Sequence, residues 1–227
     1  MKQTLILLFG AAVTVAGCSD LQPAAKRDAE CYVRYLKPES QLLAEISFRE
    51  IPSGASESQP WNPPGGVRYG GSLMRELTLQ DVPMYRFETG GGYSATHAFA
   101  WADESGNKDT LGMELPAITA FAFSDTALSR QKAASFTWTG APLEKGEALV
   151  LMWERTSDRK TVPMEIVGTP GQQAIDFPAA QLAKLEPGIW ALYVVRRKTA
   201  EVRAAGGGLR RCTAEYYSDV DTLTVTD

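Results

Sequence analysis

Cys31-Tyr32-Val33-Arg34-Tyr35-Leu36-Lys37-Pro38-Glu39-Ser40-Gln41-Leu42-Leu43-Ala44-Glu45-Ile46-Ser47-Phe48 is the stretch that decides the fold class. Cys31, Val33 and Tyr35 alternate with Tyr32, Arg34 and Leu36. After the turn residues Pro38-Glu39-Ser40, a run from Leu42 to Ile51 places Ala44, Ile46 and Phe48 on one face and Glu45, Ser47 and Arg49 on the other. A period of two that is apolar on one side and polar on the other is the mark of an antiparallel hairpin with one face on a core.

The same period recurs outward from this hairpin. Leu73–Leu79, Val82–Glu88, Ser94–Ala102, Lys108–Leu115 and Ile118–Phe123 read as strands, with Gly90-Gly91-Gly92 and Asp103-Glu104-Ser105-Gly106-Asn107 as breaks. Phe136–Thr139, Glu147–Arg155, Thr161–Val167, Ile189–Arg196, Leu209–Tyr217 and Thr222–Thr226 form a second set, with a glycine-rich loop at Ala204–Gly208. Phe177–Leu185 reads as one short helix with Pro178 in its first turn. Many short strands and Gly/Pro turns predict an all-β chain of two antiparallel β-sandwich units with little helix. The expected division is an N-terminal β domain at 29–124, a polar linker at 125–134 and a sandwich at 135–227.

The chain start carries a different signal. Met1-Lys2 precedes an apolar run from Leu5 to Val15, about half the length needed to span a bilayer. Ala16 and Gly17 then lead into Cys18. Val15-Ala16-Gly17-Cys18 resembles the lipobox of bacterial lipoproteins. The resemblance implies a signal peptide at 1–17, removed on export, and acylation of Cys18 as the mature N-terminus. Diacylglycerol plus an N-acyl chain supplies the two-chain signal that stable anchoring needs. Ser19, not aspartate, is the second residue after the cut, which in that family favours the outer membrane of the cell envelope. Residues 18–28 are then a short tether.

With Cys18 assigned to lipid, Cys31 and Cys212 remain, and an oxidising envelope compartment implies one disulfide between them. Closing a loop of about 180 residues stabilises by on the order of 4–5 kcal/mol in the chain-entropy model.

The C-terminal half resembles an immunoglobulin-like or fibronectin type III-like β-sandwich. Leu182, Leu185, Pro187, Gly188, Trp190, Leu192 and Val194 carry the likeness, with Trp153 as an earlier core tryptophan. Such folds use Leu-x-Pro-Gly ahead of an aromatic that enters a late strand. Here that aromatic is Trp190 rather than tyrosine, one residue early. Sandwiches of this kind host many functions, so the likeness implies architecture only.

The net charge of −4 speaks against nucleic acid as the main partner, which needs a basic surface. His97 is the single histidine, in phase with Phe99 and Trp101 on a strand. No Gly-x-Ser-x-Gly elbow accompanies it, so it reads as a hydrogen-bonded core histidine rather than a catalytic base. The acidic run at 103–109 has its glycine two positions early for a calcium loop and reads as a hairpin turn. Asp219, Asp221 and Asp227 read as polar strand positions. No cofactor, metal or catalytic group is expected from these patterns.

Two features point to binding. Arg196, Arg197, Lys198, Arg203, Arg210 and Arg211 gather at one end of a sheet if Ile189–Arg203 and Leu209–Tyr217 pair as a hairpin. Such a basic end suits lipid headgroups, an anionic glycan or an acidic envelope protein. Trp61 lies among Pro60, Pro63 and Pro64 in the loop 52–66, either as an exposed stacking platform or as a lid folded on the core. The leading expectation is a non-catalytic, membrane-anchored binding or scaffold module. A carbohydrate-binding accessory lipoprotein using Trp61 is the alternative, and a glycoside hydrolase working through paired carboxylates is a third.

Overall fold

The structure, a computed structural model, describes residues 25–227. Cys18, the signal segment and most of the expected tether lie outside the described residues. The elements run β1 (Lys26–Leu36), β2 (Gln41–Ile51), β3 (Gln59–Pro60), β4 (Arg68–Tyr69), β5 (Ser72–Leu73), β6 (Arg75–Leu79), β7 (Val82–Gly90), β8 (Thr96–Ala102) and β9 (Lys108–Glu114). There follow β10 (Ile118–Phe123), β11 (Ala127–Ser129), β12 (Ala134–Gly140), β13 (Glu147–Arg155), β14 (Thr161–Val167), β15 (Ala174–Phe177), α1 (Ala179–Leu182), β16 (Gly188–Arg203), β17 (Leu209–Tyr217) and β18 (Asp221–Thr226). The chain is all-β, and its single short helix starts directly after Pro178.

One large sheet runs through both halves in the order β11-β18-β16-β17-β1-β2-β7-β6, with β13 and β14 added on the other edge of β16. Two smaller sheets, β5-β4-β8-β9 and β10-β12-β15, cover it. In the N-terminal unit, Phe48 of β2 meets Trp101 of β8 edge-on at 5.0 Å. Cys31, Val33, Tyr35, Ala44, Ile46, Tyr85, Phe99 and Leu111 fill the space between. In the C-terminal unit, Phe123 of β10 lies 5.6 Å from Trp153 of β13, above a core of Phe136, Phe177, Trp190 and Leu192. Each such side chain contributes on the order of 1.5–3 kcal/mol on burial.

β16 is the element that joins the units. Its first part pairs with β18 and its second with β17, so β17 and β18 line the same edge in succession. Ser218 spans the break between them: its N–H donates to Val194 O (2.9 Å), and its Oγ accepts from Val194 N–H (2.9 Å). β17 in turn pairs in parallel with β1, Cys31 opposite Cys212, and the two cysteines form a disulfide with Cα atoms 4.5 Å apart.

Three boundaries differ from the sequence expectation. The stretch 125–134 is not a linker: Ala127–Ser129 pairs in parallel with Thr224–Thr226 on the edge of the main sheet. The strands of the second unit therefore begin at Ile118, because β10 pairs with β12. The expected tether ends earlier as well, since Lys26–Asp28 already belong to β1 and pair with Arg49–Ile51. The hairpin turn after β16 fixes that first segment. A Cβ on Gly208 would lie 1.9 Å from Arg27 O, so only glycine lets the turn lie against β1. Asp28 Oδ1 accepts from the neighbouring Leu209 N–H (2.6 Å).

Candidate functional site

A cleft of about 190 Å³ opens where the start of β1, the turn 204–208 and the loop 103–107 converge. Its walls carry Arg27, Trp61, Trp101, Asp109 and Arg210. Trp61 follows β3 and is held by its backbone N–H donating to Phe48 O (3.2 Å). Its ring stands edge-on to Phe48 at 5.5 Å. On its other side the Arg27 guanidinium lies 4.1 Å from the ring centroid, close enough for a cation–π contact. Glu104 closes this triangle, accepting from Arg27 (2.6 Å) and from the Trp61 indole N–H (2.8 Å). That indole bond, with Arg27, holds the Glu104 carboxyl below the usual carboxylate range. Arg210 sits 5.7 Å over Trp101 and pairs with Asp109.

On the far side of Trp101 lies a second, larger depression of about 370 Å³, between Pro64–Gly66 and the β8–β9 ladder. Trp101, Lys108 and Asp109 line both hollows, which flank the end of β8. Arg68 and Ala100 complete the second wall.

Of the two expected readings of Trp61, the structure adopts the lid. Only 6% of the residue is exposed, and Arg27 covers the face a sugar would use. The expected free basic end is also corrected. Strand alternation divides the six cations between the two faces of the sheet, and all but Arg203 have an acidic partner. Arg197 pairs with Glu165 (2.5 Å), Lys198 with Glu144 (2.8 Å), Arg211 with Glu201 (2.6 Å) and Arg210 with Asp109. Arg196 is not a surface residue at all. It is fully buried and donates to Glu147 (2.5 Å), which is equally buried, and to the carbonyls of Ala141 (2.9 Å) and Pro142 (2.7 Å). Arg203 is exposed and has no such partner among the described residues.

The acidic turn uses its carboxylate for its own closure. Asp103 accepts from Ser105 N–H, Asn107 N–H and the Asn107 side chain at 2.8–2.9 Å, with Gly106 at φ 80°. Asp219 pairs with Lys37 (2.5 Å) and Asp227 with Arg130 (3.0 Å). Among the described residues, no three His, Cys, Asp or Glu side chains gather as metal ligands.

His97 is buried between two tyrosines. The Tyr93 hydroxyl donates to Leu115 O (2.5 Å), so the 3.4 Å contact with His97 requires Nε2–H to donate to the Tyr93 oxygen. That leaves Nδ1 to accept from Tyr69 O–H at 2.6 Å. This chain of bonds needs a neutral ring, and burial pushes the imidazole down to about 4 from its ordinary 6.5. The unfolded chain takes up a proton as pH falls through 6.5, and the folded chain does so only near 4. Stability contributed by the neutral ring is therefore complete above pH 6.5 and lost as pH falls towards 4, by about 3 kcal/mol in all. Urea unfolding of wild type and His97→Gln across this window is expected to show a shallower acid loss in the variant. Parallel curves would contradict the assignment.

Sequence reasoning missed Arg27, Trp101 and Glu104 in the cleft, and Glu147 as the partner of Arg196. The cleft draws on segments far apart in the chain, which no local pattern connects. No protein-family model matches the chain, and neither does any curated protein.

Proposed function

We propose that the chain is a non-catalytic lipoprotein of the cell envelope, acylated at Cys18 and held at the outer membrane, where it serves as a rigid binding or scaffold module. The observation that carries this reading is the shared sheet. β16 runs through both units, and the parallel β1–β17 ladder with its disulfide couples the chain start to the C-terminal strands. Load or position applied at one end is transmitted to the other without a hinge of loop residues, as a scaffold requires.

The C-terminal unit is read as immunoglobulin-like or fibronectin type III-like. In support, β10-β12-β15 faces β14-β13-β16-β18, and β11 lies parallel to β18 at the edge. Trp190 supports it too: the indole N–H donates to Glu186 O (2.9 Å), a backbone acceptor just upstream, in the manner of the corner tyrosine of those folds.

The anchor is tested by Cys18→Ser. The variant is expected to lose acyl labelling in cells and to leave the membrane fraction on a high-salt wash, which screens electrostatic attachment. Continued labelling, or wild-type retention after that wash, would overturn the reading.

A further inference from the structure

The end of the N-terminal unit that holds the Trp101 hollows is also the end where the described chain begins. Ala25 lines the smaller hollow, and Lys26 packs its side chain against Gly207 of the adjoining turn. On the lipoprotein reading, residues 19–24 separate this point from Cys18 and reach about 25 Å at full extension. The cleft thus cannot stand far from the membrane surface.

Charge at this end is arranged to suit that surface. Arg27 and Arg210 are committed to Glu104 and Asp109. Asp28 and Asp103 are committed to backbone amides, of Leu209 and of the 103–107 loop. Five exposed cations remain: Lys26, Arg49, Arg68, Lys108 and Arg203. Arg68 donates to the Gly71 carbonyl (2.9 Å) and Arg49 to Ser58 Oγ (3.4 Å), and none of the five has a carboxylate partner among the described residues. Arg68 and Lys108 both line the larger hollow, beside Pro64, Ala100 and Ala102, so cations and small apolar side chains meet in one groove.

We propose that this groove, resting on the lipoprotein reading above, docks the phosphate-bearing headgroups of the membrane in which the protein is anchored. Arg68 and Lys108 bind the phosphate, Lys26 and Arg203 add long-range attraction, and Pro64, Ala100 and Ala102 face the apolar part of the headgroup boundary. Docking fixes the orientation of the unit on the bilayer, which acylation at Cys18 alone does not.

The test is co-sedimentation of the mature chain from residue 18, carrying Cys18→Ser, with phosphatidylcholine vesicles and with vesicles containing phosphatidylglycerol. No acyl chain takes part, so the outcome is independent of whether Cys18 is lipidated, which cell labelling reports separately. Binding to the anionic vesicles and not to the neutral ones is expected. Each basic residue near such a surface is worth a factor of about 5, so Arg68→Glu with Lys108→Glu is expected to weaken binding about 25-fold or more. Reversal of Lys132 and Lys184, exposed in the other unit, is expected to change it far less. Equal binding to both vesicle types, or equal loss from both pairs of reversals, would overturn the proposal. Inorganic phosphate that displaces the vesicles at matched phosphate concentration would assign the groove to a soluble anion and overturn it as well.

Discussion

Replacing Arg196 with methionine is expected to destabilise the protein by about 3–5 kcal/mol, read as a lowered urea midpoint. Among the described residues the guanidinium is the only cation that meets Glu147 Oε2, at 2.5 Å, and both side chains are fully buried. Methionine fills much of the volume but leaves Glu147 charged and dry, and it strips the donors from Ala141 O and Pro142 O. Lys198, 3.4 Å from the other Glu147 oxygen, is too distant to restore the lost bonds. A loss of this size corresponds to a melting temperature lower by roughly 6–20 °C in a chain this long. The double variant Arg196→Met with Glu147→Leu separates charge from packing. Buried pairs replaced together by apolar groups are often neutral, so the double variant is expected to recover most of what the single one loses. A single variant that loses less than about 1 kcal/mol, the scale of a surface pair, would refute a buried role for Arg196.

That pair also marks how far local pattern reaches. Trp190, Leu192 and Val194 are fully buried, and Arg196 is the next residue of the same phase. The period of two therefore pointed Arg196 inward, while the run Arg196-Arg197-Lys198 pointed to a solvated cluster. Composition was the misleading signal and phase the sound one. The strands themselves were readable: β13, β14 and β17 coincide with their expected limits because each alternates or runs apolar between turn residues. β11 was not readable, since three residues within a polar stretch carry no period. The partnership of β1 with β17 was legible only through chemistry, by the pairing of Cys31 with Cys212, because parallel register across the length of a chain leaves no local trace. Trp61 sits in a Pro/Gly loop where neither phase nor propensity acts, and its cover, Arg27, lies in a segment expected to be tether.

Removing the disulfide by Cys31→Ala with Cys212→Ala is expected to cost up to about 5 kcal/mol, the chain-entropy value for a crosslink spanning 181 residues. Both cysteines are buried, and alanine leaves no unsatisfied polar group there. The effect should also be uneven. β2, β7 and β6 reach the rest of the main sheet only through β1, and β1 reaches it only through β17. The C-terminal unit keeps its own core of Trp153, Phe136, Phe177 and Trp190 whether or not that ladder holds. Hydrogen exchange on the double variant is therefore expected to accelerate at Ala29–Leu36 and along β2, while β13 and β16 near Leu192 stay protected. Such a pattern is local opening of the N-terminal sheet at a free energy below that of global unfolding. Uniform acceleration throughout would mean that the two units unfold as one, and the crosslink would then act only through the unfolded chain. If the N-terminal sheet alone loosens, the disulfide is what keeps the groove at the end of β8 registered to the C-terminal unit, and the proposed scaffold gains a specific mechanical part.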